Sequence, residues 1–168
     1  MRRLLRTSRL LTLTAAGGIG KTRLALEVAS EVLDEYPDGV WLVELGPIDE
    51  PYLVPHVVAA VLGVPEEVGR PLVETLERVM ADRRQLLVVD NCEHVLDAAA
   101  SLINRLLQHS TALRILATSR EPLGLAGETV WRVPSLALPL VDGLGDQAES
   151  IRLFLDRARR RVRQLPEP

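Results

Sequence analysis

Eight consecutive residues set the terms for this chain: Ala15-Ala16-Gly17-Gly18-Ile19-Gly20-Lys21-Thr22. An apolar run, Leu10 to Leu13, leads in, and helical spacing of Leu24, Ala25, Val28 and Val32 leads out. Strand, glycine-rich turn, Gly-Lys-Thr and helix is the order a P-loop needs. Backbone N–H groups from Gly17 to Thr22 can converge on a phosphate only where the turn is bare of bulky side chains. They stand at the positive end of the following helix, which favours an anion. The expected nucleotide contacts are Ala16, Gly17, Gly18, Ile19, Gly20, Lys21, Thr22 and Arg23. Lys21 would reach the outer phosphates, and the Thr22 hydroxyl would ligate Mg²⁺. Ala15 stands where the G-x-x-x-x-G-K-[ST] pattern has its first glycine, a methyl group that is tolerable if its φ is negative. A turn without a ligand is the plainer alternative, and the flanking strand and helix argue against it.

Lys21 is the only lysine; every other cationic side chain is arginine. A compact ammonium on a thin stem fits beside phosphates where a planar guanidinium does not. With 168 residues the chain reads as one domain, 1–168, large enough to bury a core. Aromatic residues make up only 3%, so that core must be aliphatic. The net charge of −3 supplies no basic field, which argues against direct nucleic-acid binding by this segment. A single cysteine, Cys92, cannot form an internal disulfide, consistent with a reducing, cytoplasmic setting. No apolar run approaches the roughly 20 residues that span a bilayer. The arginines at 2, 3, 6 and 9 precede a strand and a glycine turn rather than a signal-peptide core.

Along the chain, Met1 to Ser8 reads as the end of a helix and Gly20 to Tyr36 as the P-loop helix, stopped by Pro37-Asp38-Gly39. Strands are expected at Leu10–Ala16, Val40–Leu45, Gln85–Asp90, Leu113–Thr118 and Glu128–Val133. Helices are expected at Pro51–Leu62, Pro71–Ala81, Glu93–His109 and Gln147–Val162. This alternation predicts an α/β fold, a three-layer P-loop NTPase core with a five-stranded, mainly parallel sheet and helices on both faces. The last helix carries one apolar stripe, Ile151, Phe154, Leu155, Ala158 and Val162, with its arginines mostly outside it, as on a solvated face.

Two further signals follow the loop. Leu86-Leu87-Val88-Val89-Asp90 is an apolar strand closing on an acid, the Walker B pattern, whose carboxylate would hold Mg²⁺ through water beside the phosphate loop. Asn91 follows where hydrolysing relatives often carry a second acid. Glu93 is then either a general base or an acid complementing a helix dipole. His94 reads as packed or capping rather than catalytic, and Cys92 as a small buried apolar residue. The third signal is Ala117-Thr118-Ser119-Arg120 at the end of the fourth strand. If the P-loop strand lies between the fourth and fifth strands, this end faces the γ-phosphate. Thr118 or Ser119 would orient a water and Arg120 would sense the terminal phosphate; a polar strand end with a solvated arginine is the alternative. His56 and His109 are assigned no role.

Taken together, the strings around the loop, Val-Val-Asp-Asn-Cys-Glu-His-Val and Ala-Thr-Ser-Arg-Glu-Pro-Leu-Gly resemble the NB-ARC-type nucleotide-binding domain of STAND ATPases. The likeness is strongest to bacterial LuxR- and SARP-type transcriptional regulators, typical of actinobacteria, and runs from about Leu4 to Arg161. The resemblance implies a regulatory ATPase that binds ATP or ADP with Mg²⁺. ADP would hold a closed form, exchange for ATP would open it for oligomerisation, and slow hydrolysis would reset it. By motif, Lys21 and Thr22 would serve phosphate and Mg²⁺, Asp90 would be the Walker B acid and Arg120 the sensor arginine. The Val-Gly-Arg-Glu segment, the Gly-Leu-Pro-Leu-Ala helix and the winged-helix lid of such relatives are not found here, so the chain reads as the core of a switch without its lid, weak in hydrolysis alone. Self-association or a regulatory protein is the expected protein contact. The alternatives are a non-catalytic nucleotide-binding or interaction module and, further off, a P-loop kinase or transport ATPase. Lys21 is expected to be partly solvated without ligand.

Overall fold

The computed structural model describes residues 1–134. Five strands form one sheet: β1 (Leu10–Thr14), β2 (Val40–Glu44), β3 (Leu86–Asp90), β4 (Arg114–Ser119) and β5 (Glu128–Arg132). Their order is β2-β3-β4-β1-β5, and every pairing is parallel. The expected placement of β1 between β4 and β5 is therefore what the structure has. All five residues of β1 and of β3 are buried. Strands covered on both faces need no polar alternation, which is why they read as unbroken apolar runs.

The period of two divides those runs between two cores. Leu10, Leu87, Val89, Ile115 and Ala117 face α3 (Val54–Leu62), α4 (Leu72–Met80) and α5 (Leu96–His109). Leu11, Leu13, Leu86, Val88 and Leu116 face α1 (Arg2–Thr7) and α2 (Lys21–Ser30), meeting Leu5, Ala25, Val28 and Ala29. Helices thus cover both faces. On the first face α4 and α5 are also joined by a salt bridge: Arg105 Nε lies 2.6 Å from Glu77 Oε1, and the Glu77 side chain is only 9% exposed.

Three expected helices are shorter than their patterns. The P-loop helix stops at Ser30, and a separate 3-10 turn, Leu33–Glu35, follows before Tyr36. The 51–62 segment opens as a 3-10 turn, Pro51–Leu53, before α3 begins with a proline in its first turn, where the missing N–H costs nothing. The 93–109 segment is broken at its start: Cys92–His94 is a 3-10 turn and α5 begins at Leu96. The cause is Asn91, which leaves β3 with φ 65°, a left-handed conformation that asparagine tolerates better than other side chains. The expected helix Gln147–Val162 lies outside the described residues. No helix among the described residues is long and apolar enough to cross a membrane.

Candidate functional site at the carboxyl edge of the sheet

The glycine turn between β1 and α2 has the conformation its sequence demands. Gly18 and Gly20 hold φ of 82° and 97°, and a Cβ built on either meets nothing within 4 Å. Glycine is needed there for backbone conformation rather than space. Among non-glycine residues described, only Asn91 has positive φ, so Ala15 keeps the negative φ its methyl group requires. Ala15→Gly should therefore gain nothing: we expect a stability loss of roughly 0.4–1 kcal/mol by urea unfolding, from added freedom in the unfolded chain. Nucleotide affinity should shift by less than about threefold, since Lys21, Thr22 and the turn glycines are unchanged.

Lys21 corrects one expectation. It is buried, 8% exposed, and not partly solvated. Its ammonium folds back over the turn, donating to the Ala15 carbonyl at 2.9 Å and the Ala16 carbonyl at 3.3 Å. These carbonyls satisfy a buried cation that would otherwise be costly.

Across the sheet edge, the Asp90 carboxylate gathers two hydroxyl donors. Thr22 Oγ1 donates to it, 2.8 Å from Oδ1 and 3.0 Å from Oδ2. Thr118 Oγ1 donates to Oδ1 at 2.5 Å and accepts the Asn91 N–H at 3.0 Å. Residues from α2, β3 and β4 thus meet at one point beside the turn. Thr118, expected to orient a water, serves here as a fixed partner of the acid. The Ser119 side chain is fully buried and accepts from the Glu121 N–H. A hydroxyl and a carboxylate at this separation are hard oxygen donors of the sort Mg²⁺ takes, with phosphates and water completing its shell. Among the described residues no group of three or more acidic, histidine or cysteine side chains is arranged to hold a metal ion.

Glu93 neither caps α5 nor opens it. Its Oε1 accepts from Arg120 Nε at 3.2 Å, while Oε2 is buried without a hydrogen-bond partner. The Arg120 guanidinium reaches over the phosphate turn: a Cβ on Gly17 would stand 3.7 Å from its terminal nitrogen. Arg120 therefore lies beside the glycine turn and is tied to Glu93. Arg23 lies on the exposed face of the first turn of α2.

His94 is exposed rather than packed, and its ring has a specific partner set. Its Nε2 lies 2.9 Å from the Leu45 carbonyl and 2.8 Å from that of Ile48, fixing the loop after β2. Gly46, in that loop, had no reading in the sequence. A Cβ there would come 3.1 Å from the Asn91 amide, so the glycine makes room for the turn that ends β3.

Cys92 is fully buried, and burial, then the charges of Asp90 and Glu93, push its thiol up to about 12. Because the folded value lies above the unfolded one, the neutral thiol's contribution is complete below the unfolded pKa, near 9, and is lost as pH rises toward 12. Tyr36, raised mainly by burial, adds a loss of the same sign. Urea unfolding at successive pH values should show stability falling above pH 9. The slope should be on the order of 1 kcal/mol per pH unit and be partly flattened by Cys92→Ala.

No protein-family model matches the chain. It is 47% identical over 160 residues to "Putative HTH-type transcriptional regulator Rv0890c" of Mycobacterium tuberculosis, a match covering 95% of this chain and 17% of that protein. It is 43% identical over 160 residues to the uncharacterized protein Rv0894 of the same organism, covering 95% and 39%. The chain therefore spans well under half the length of these curated relatives. Among solved structures, it is similar to one in Drosophila ORC bound to GC-rich DNA and Cdc6, with TM-score 0.55 and 17% identity over 98% of this chain and 61% of that one. It is also similar to a signal transduction ATPase with numerous domains, carrying a tetratricopeptide repeat sensor, from Pyrococcus horikoshii. There the TM-score is 0.51 and the identity 16%, over 98% of this chain and 25% of that one. With the parallel order β2-β3-β4-β1-β5 and helices on both faces, these likenesses show the fold of the P-loop NTPases.

Proposed function

We propose that this chain is the ATP- and ADP-binding core of a STAND-type regulatory ATPase of the NB-ARC kind, belonging to a transcriptional regulator. The observation that carries the reading is the meeting of Thr22, Asp90 and Thr118 beside a turn whose lysine is already inside it. On this reading the amides from Ala16 to Thr22 and the positive end of α2 hold the phosphates, with Arg23 at the rim. Lys21 exchanges its carbonyl partners for phosphate oxygens. Thr22 and Asp90 hold Mg²⁺, whose contribution is to neutralise charge between phosphate oxygens. Arg120 reads the terminal phosphate, and Glu93 is released from it as the candidate base.

Asn91 favours slow turnover. It occupies the position after the acid with an amide, which cannot accept a proton from water as a carboxylate does. The name of the Mycobacterium tuberculosis relative supports a regulatory setting rather than a metabolic one. DNA contact, on this reading, belongs to other parts of such regulators, since this segment carries net charge −3. Its own protein contacts are self-association or a regulatory partner, in a cytoplasmic setting.

Calorimetric titration with ADP and with Mg·ATP tests the proposal. One nucleotide per chain is expected, with hydrolysis slow on the timescale of the titration. Absence of binding for both would leave the interaction-module reading in its place, and turnover that requires an added acceptor would replace it with a kinase.

A further inference from the structure

A second charged cavity lies at the other edge of the sheet, where β3 and β4 begin. It has a volume of about 410 Å³ and is lined by Arg6 of α1, Glu35 and Tyr36 after α2, Arg84 before β3, and Arg114 at the start of β4. Three guanidinium groups therefore face one carboxylate, in a chain whose net charge is negative. Like charges gathered around one cavity repel unless an anion joins them.

The three arginines are not equally occupied. Arg6 is taken by Glu35, its Nε lying 3.1 and 3.0 Å from the two carboxylate oxygens. That pair lowers Glu35, through the Arg6 hydrogen bond first, and keeps its carboxylate ionised. Arg114 donates from Nη1 to the Ser8 carbonyl at 2.8 Å, which leaves the rest of its fork of donors for another acceptor. Arg84 bonds through its backbone: its N–H donates to Asp38 Oδ2 at 2.8 Å and its carbonyl accepts from the Asp38 N–H at 3.3 Å. Its guanidinium has no hydrogen bond or ion pair among the described residues. Tyr36 completes the wall. Burial pushes its phenol up, against the lowering effect of Arg114 and Arg84, so it stays neutral and able to donate.

We infer that this cavity binds a small organic phosphate monoester, its phosphate held by Arg84 and Arg114 and its organic part in the remaining space beside Tyr36. Guanidinium forks match phosphate oxygens two at a time, and such charge-assisted bonds are the strong ones. The volume lies within the roughly 300–1,000 Å³ range of small-molecule sites and exceeds what a bare phosphate fills. The site is separate from the turn at the carboxyl edge and does not rest on the nucleotide reading.

Phenyl phosphate and inorganic phosphate are the probes, titrated calorimetrically into the Lys21→Ala protein so that the phosphate turn does not contribute. Phenyl phosphate is expected to bind one per chain, more tightly than inorganic phosphate, and to weaken as salt is raised. Adding Arg84→Gln should weaken it by about tenfold or more, the equivalent of one or two charge-assisted hydrogen bonds. Arg84→Glu should abolish it. Because the Arg84 guanidinium has no hydrogen bond or ion pair among the described residues and only a longer-range charge interaction with Glu35, both variants should melt within a few degrees of their parent. Failure of phenyl phosphate to bind the Lys21→Ala protein, or equal binding with and without Arg84→Gln, would overturn the inference.

Discussion

Lys21→Ala should lower the affinity for both ADP and Mg·ATP by roughly 100-fold or more, the loss expected when two or so hydrogen bonds to a charged phosphate disappear together. No other lysine exists to substitute for it, and Arg120, across the turn, is held on Glu93. The structure also sets what the substitution does without nucleotide. The ammonium is buried and donates to the Ala15 and Ala16 carbonyls, so its removal costs the folded protein something. The Ala16 carbonyl is only part-buried, so water can replace the lysine there, whereas the bond to Ala15 is buried, and the cost should be about 1–3 kcal/mol. Urea unfolding and calorimetry on the same preparation separate the two effects. Nucleotide binding that survives in a folded Lys21→Ala protein would remove the turn from the site.

Asp90→Asn should act differently, by erasing the help that Mg²⁺ gives. In the parent chain, Mg²⁺ should tighten ADP binding by about tenfold or more; in the variant the affinities with Mg²⁺ and with chelator should converge. The substitution is well suited to the question because Oδ1 accepts from both Thr22 and Thr118. An amide oxygen in that place keeps both donors while the negative charge is lost. The fold should therefore survive with a loss of no more than about 1–2 kcal/mol. An equal fall in ADP affinity with and without Mg²⁺ would assign Asp90 to holding the turn rather than the metal.

Much of this architecture is legible in the chain because its signals are local. Leu86 to Val89 is apolar at every position, and only a strand covered on both faces asks for that. Gly18, Gly20, Lys21 and Thr22 announce a turn whose chemistry fits in a few residues. The misreadings share a cause, which is that the deciding partner lies far along the sequence or only exists in three dimensions. Glu93 looks like a complement to a helix dipole until Arg120, from the end of β4, is beside it. The turn at Asn91, which delays α5 to Leu96, depends on room left by Gly46. Lys21 reads as solvated because a linear sequence does not reveal a side chain curling over its own turn. The arginine-lined cavity is the extreme case: Arg6, Arg84 and Arg114 come from three distant segments, and nothing near any of them marks it as different from other surface arginines.

The strand order has a consequence for the order in which the protein comes into being. β1 pairs Leu10 with Ile115 on one side and with Glu128 on the other, and has no neighbour made earlier. On a ribosome adding roughly 5–20 residues per second, it must wait on the order of 5–20 s before its first partner emerges. Meanwhile β2 and β3 can already pair, Val40 with Leu86. The last bonds to close include that from the Ala15 N–H to the Ser119 carbonyl, at the mouth of the phosphate turn. Ladders that join such distant segments form slowly. A nascent chain halted before Ser119 would carry the complete glycine motif and have neither β4 nor β5 beside β1 to hold it, so the turn is fixed only after most of the sheet has been made.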